Sequence, residues 1–106
     1  MKIEIMKSES KLQPKDFEIK KKGIYIEIII CENIIKNEEK YLCDMILSSG
    51  IIRDYSEMVS AIIRCKYSID KEFAIINKGI QDSNCVEYQD YIRFTAFAKE
   101  KAKEQF

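Results

Sequence analysis

The sequence has no histidine, one proline and three glycines, and its charges cancel, with 18 Lys and Arg against 18 Asp and Glu. Without histidine there is no Ser–His or Cys–His catalytic pair and no mixed Cys–His zinc site. Gly23, Gly50 and Gly79 stand far apart, so neither a phosphate-binding loop nor a dinucleotide turn is encoded. One proline leaves little room for long linkers. Zero net charge gives no long-range pull toward nucleic acid or an anionic membrane. The four cysteines, Cys31, Cys43, Cys65 and Cys85, contain no C-x-x-C pair and read as buried reduced thiols.

What is present fits a folded soluble protein. Hydrophobic residues make up 46 % and charged residues 34 % of 106 positions. That length suits one domain, with a β-rich part over 1–50 and a helical part over 51–106. "MKIEIMKSES" has charges where a secretory h-region would be apolar. "GIYIEIIICENII" is too short, and too charged at Glu27 and Glu32, to span a bilayer. A cytosolic location, in a host cell, is expected.

The first half alternates with period two. "KIEIMK" places Ile3 and Ile5 on one face, and "FEIK" repeats the pattern through Phe17 and Ile19. "KKKG" supplies a turn at Gly23. "IYIEIIICENII" then puts Ile24, Ile26, Ile28 and Ile30 on one side. "KNEE" is a polar turn, and residues 40–48 read as a further strand, with a helix as the alternative.

The second half changes period. Asp54 with Glu57 forms a capping pair. Tyr55, Met58, Val59, Ile62 and Cys65 follow as one stripe, with Arg64 on the opposite side. Ser68 is a second N-cap, and Ile69, Phe73 and Ile76 form the stripe of a second helix that Gly79 ends. Asp82 or Ser83 caps a third helix, from about Cys85 to about Glu104. On it, Tyr88, Tyr91, Ile92, Thr95, Ala98 and Ala102 share a face, Phe97 and Val86 lie opposite, and Phe94 lies between. Two apolar patches on one helix call for a second cover. The expected fold is α+β: an antiparallel sheet of three or four strands, then three helices packing on one face.

The candidate chemistries are sparse. Cys65 between Arg64 and Lys66 has the basic flanks of an activated thiol, but its stripe position turns it inward. Glu38 with Glu39 is a polar turn before it is an acid/base pair. Lys20, Lys21 and Lys22 form an ordinary solvated hairpin tip, so nucleic acid is not expected as a partner. No cofactor, metal or catalytic residue is expected, and the chain reads as non-enzymatic. Arg64, Tyr91, Arg93, Phe94 and Phe97 are the candidate residues for meeting a partner or ligand. Phe94, Phe97 and Phe106 are the candidates for self-association into a homo-oligomer.

"DYSEMVSAIIRCKYSIDKEFAIINKG" followed by "EYQDYIRFTAFAKEKAKE" resembles the C-terminal segment of small phage and prophage proteins encoded near tail genes. The matching positions include Tyr55, Ile62, Ile63, Arg64, Lys66, Tyr67, Ser68, Glu72, Ala74, Tyr88, Phe97, Ala98 and Ala102. "KSESKLQPKDFEI" is similar to the start of some short phage proteins. The resemblance covers about half the chain and brings no catalytic residues with it. It implies a phage-type accessory protein. Two roles follow as expectations: an intracellular antagonist of host defence machinery, binding a protein or sequestering a small signalling ligand, or an accessory of the virion tail. An unrecognised cytosolic enzyme is the rival of a different class.

Overall fold

The computed structural model describes residues 2–106. The chain is α+β and divides into two compact units, Met1–Ile52 and Arg53–Phe106. The first holds β1 (Lys2–Ser10), β2 (Phe17–Lys22), β3 (Tyr25–Asn37) and β4 (Lys40–Ile51). The second holds α1 (Tyr55–Lys66), α2 (Ile69–Gln81) and α3 (Val86–Gln105). Residues 40–48 are strand throughout, which settles the one ambiguous segment.

The sheet order is β1-β4-β3-β2, with every neighbouring pair antiparallel. Gly23, at φ +60, turns β2 into β3, a conformation that costs glycine little. Glu38, at φ +57, turns β3 into β4 between the paired Asn37 and Lys40. Register then sorts the side chains. Ile28 lies opposite Ser48 and Ile30 opposite Ile46, and Ile26 joins them to make one buried strip. Ile24 falls in the turn, and its side chain is exposed, so the expected four-isoleucine row is a row of three.

A bulge interrupts the β3–β4 ladder between Glu32 and Ile35. Asn33 sits there at φ +53 and donates its side-chain amide to Asp44 at 2.9 Å. Lys7 of β1 donates to the same carboxylate. Those two donors hold the Asp44 carboxyl below the usual carboxylate range. The bulge and the edge strand are thus fastened at one point.

Cys31, Cys43 and Cys65 are buried, and Cys85 is half-buried. Burial, followed by the neighbouring Cys43, pushes the Cys31 thiol up to about 11. A thiol reagent at neutral pH is expected to modify Cys85 first and the other three only as the chain unfolds. Peptide mapping after a short pulse checks this. Modification of Cys31 in the folded protein would contradict it.

The helices start where the sequence places their caps. Asp54 accepts the Glu57 amide at 2.8 Å, and Ser68 accepts the Lys71 amide at 3.2 Å. The third start differs. Cys85 stands at the N-cap with no side-chain bond, while the Asp82 carboxylate accepts the Asn84 amide at 3.0 Å in the preceding turn. Gly79 also differs, because α2 continues through it to Gln81.

Met58, Ala61, Ile62, Ile63 and Cys65 are buried on α1, and Ala98 and Ala102 on α3. Tyr55, expected in the α1 stripe, is exposed. Helix α3 packs on both other helices, and small residues on its buried face allow the close approach. On α2 the buried residues are Ile75 and Gly79, not the expected stripe. Ile69 is 56 %, Phe73 63 % and Ile80 78 % exposed.

Candidate interaction surface on the helices

A charged triad closes the helical unit. Arg64, near the end of α1, donates to the Glu72 carboxylate of α2 at 2.9 Å and to the Tyr67 carbonyl at 3.0 Å. Tyr91 of α3 donates its hydroxyl to the other Glu72 oxygen at 2.5 Å. Three helices therefore meet on one carboxylate. The side chains of Arg64 and Glu72 keep only 30 % and 19 % of their exposure. Arg64 was expected to stand free on the outer side of α1; it is held by its own chain.

The electrostatics follow from this geometry. The Tyr91 hydroxyl, and after it the Arg64 guanidinium, hold the Glu72 carboxyl below its ordinary range. Burial, followed by the neighbouring Glu72, pushes the Tyr91 hydroxyl up to about 12. The shifts move acid and phenol apart, so neither titrates near neutrality. Such a pair is poorly placed to exchange a proton and well placed to fix helices.

An aromatic ladder extends outward from the triad. The Tyr67 ring meets Tyr91 edge-on at 5.2 Å and Phe94 at 5.8 Å, and Phe94 stacks on Phe97 at 5.9 Å. All four aromatics are half-buried. Lysines stand over the rings: Lys66 over Phe94 at 4.9 Å, Lys71 over Tyr67 at 5.5 Å and Lys101 over Phe97 at 5.6 Å. The ammonium groups are attracted by the negative ring faces while remaining near water.

The structure thus gathers Arg64, Tyr91, Phe94 and Phe97 into one cluster. Arg93 lies elsewhere, 70 % exposed and paired with Asp90 at 2.7 Å. Phe106 ends the chain, half-exposed, its amide donating to the Ala102 carbonyl. Sequence reasoning missed Glu72, Tyr67, Lys71 and Lys101 as members. Glu72 lies in the first turn of α2, where an acid favours the helix dipole, and nothing local links it to Tyr91, 19 positions on.

Among the described residues, no group of three or more Cys, Asp or Glu could hold a metal ion. No described helix is long and apolar enough to cross a membrane. No family model, curated protein or solved structure matches the chain.

Proposed function

We propose that this chain is a non-enzymatic binding protein of the phage or prophage accessory kind. In this reading it works inside a host cell as an antagonist, occupying a protein with the lysine-rimmed aromatic ladder of its helices. The observation that carries it is the ladder Tyr67–Phe94–Phe97 under Lys66, Lys71 and Lys101. Half-buried aromatics are held rigid by their own contacts, so little side-chain freedom is lost on binding. Aromatic groups are also enriched among residues that dominate interface energy. The rim presents the ammonium groups of Lys66 and Lys71 over its rings, while the Lys101 ammonium also stands 3.8 Å from the Glu104 carboxylate. The matching partner is therefore a protein surface carrying carboxylates. The phage provenance is supported by the sequence resemblance alone.

The test compares the wild-type chain with a Lys66→Glu, Lys101→Glu double variant. Lys66 is exposed and Lys101 half-buried beside Glu104, so circular dichroism first checks that the variant folds as the wild type does. A host protein retained by the wild type is purified and titrated against both. The reading expects at least tenfold weaker binding by the variant, and wild-type affinity that falls as salt rises. Equal binding by the two chains, or affinity indifferent to salt, would overturn it. Recovery in purified virions alone would move the role to the tail.

A further inference from the structure

We propose that the outward face of α2 pairs with the same face of a second copy of this chain. The two helices run antiparallel about a two-fold axis passing between Ala74 and Ile75. The face is built by Ile69, Phe73, Ile76 and Ile80. At about 100° per residue these four fall within a band of roughly 60°. Ile69, Phe73 and Ile80 are exposed, because α2 turns Ile75 and Gly79 inward instead. A row of large apolar groups in water is a binding face that lacks its cover.

The spacing identifies what covers it. The intervals along the row are four, three and four residues, which read the same in both directions. Reversing the helix leaves the pattern unchanged. In the antiparallel pair Ile69 meets Ile80 of the second copy, and Phe73 meets Ile76 of the second copy. Every apolar group finds an apolar group, as an isologous interface requires. This alternation of four and three is also the seam of a coiled coil.

The borders of the row agree. Asp70 and Asn77 flank one side. The two-fold axis brings Asp70 beside Asn77 of the second copy, so a carboxylate faces an amide rather than another carboxylate. Glu72 and Gly79 flank the other side, where Glu72 is already neutralised by Arg64 and Gly79 has no side chain. No like charges are forced together, which would count heavily against self-pairing.

The area sets the strength. Taking about 200 Å² for a fully exposed large side chain, the three exposed residues offer roughly 400 Å² per copy. A stable interface uses about 800 Å² per partner, so this pairing is weak and depends on concentration. It leaves the lysine-rimmed ladder on α3 and the α1–α2 junction for another protein, and does not rest on the function proposed above.

Sedimentation equilibrium across about 1–500 μM chain spans the range where such a pair dissociates. The wild type is expected to pass from monomer to dimer. Phe73→Glu should raise the dissociation constant more than tenfold and leave the circular dichroism spectrum unchanged. Ile80→Glu, at a still more exposed position, should do the same and provides the second variant should Phe73→Glu fail to fold. Lys66→Glu with Lys101→Glu should dimerise as the wild type does. A wild type that stays monomeric throughout, or glutamate variants that associate normally, would overturn the proposal.

Discussion

Alanine at Glu72 is expected to destabilise the helical unit by about 2–3 kcal/mol, at the lower edge of the cost of breaking a buried ion pair. Two donors depend on that carboxylate. Arg64 loses its anion and keeps only the Tyr67 carbonyl, while the Tyr91 hydroxyl loses its acceptor. Partial exposure lets water reach Arg64, which keeps the loss below that of a fully buried pair. Glutamine should cost less, about 1 kcal/mol, because it preserves shape and can still accept from Tyr91.

The pH dependence supplies a second reading of the same contact. A carboxyl held below its ordinary range contributes stability above that range and loses it as pH falls through the depressed value. The raised Tyr91 hydroxyl contributes fully below its ordinary 10.0 and loses its contribution as pH rises through about 12. The wild type should therefore weaken at both extremes. Glu72→Ala should lose the Glu72 share of the acid dependence, leaving that of Asp44, and soften the alkaline one, since burial is the larger cause at Tyr91. Urea unfolding at acid, neutral and alkaline pH measures all three. An unchanged midpoint at neutral pH would remove the triad from the account.

The second large effect is a reversal of sign at Gly79. Alanine is the better helix former by about 1 kcal/mol, so an interior glycine normally improves on replacement. Here a Cβ would lie 2.2–2.5 Å from three carbons of the Tyr88 ring. The ring belongs to α3, so the helices themselves must separate or the ring must leave. Net destabilisation of about 1–3 kcal/mol is expected. In a Tyr88→Ala background the same change should become neutral or stabilising, and a double-mutant cycle reads the coupling directly. Stabilisation by Gly79→Ala in the wild type would contradict the packing.

These two sites show where the sequence was legible. Asp54 and Ser68 announced their helices because a cap bond spans three residues and can be read locally. The isoleucine alternation announced the sheet for the same reason. Gly79 was misread as a helix stop because its true cause, the Tyr88 ring, arrives from another helix. Glu72 does stand in the first turn of α2, but its part in the triad was not legible, because Arg64 and Tyr91 converge on it only after α1, α2 and α3 have packed. The α2 stripe is a stripe as read, but Ile69 and Phe73 on it face outward. Periodicity finds an apolar face but does not say whether that face turns toward its own chain. Phe94 and Phe97, expected to need a cover from outside, have rings that already contact Tyr67, Lys66 and Lys101.

The outward face of α2 is the central claim, and disulfide trapping tests it most directly. In a Cys85→Ser background, one population carries Ile69→Cys and another carries Ile80→Cys. The antiparallel pair places these positions opposite each other across copies, while like positions at Ile69 lie about 16 Å apart along the helix. The account predicts a cross-linked dimer when the two populations are mixed and oxidised, and little from either alone. Efficient cross-linking of Ile69→Cys with itself, or none in the mixture, would contradict it.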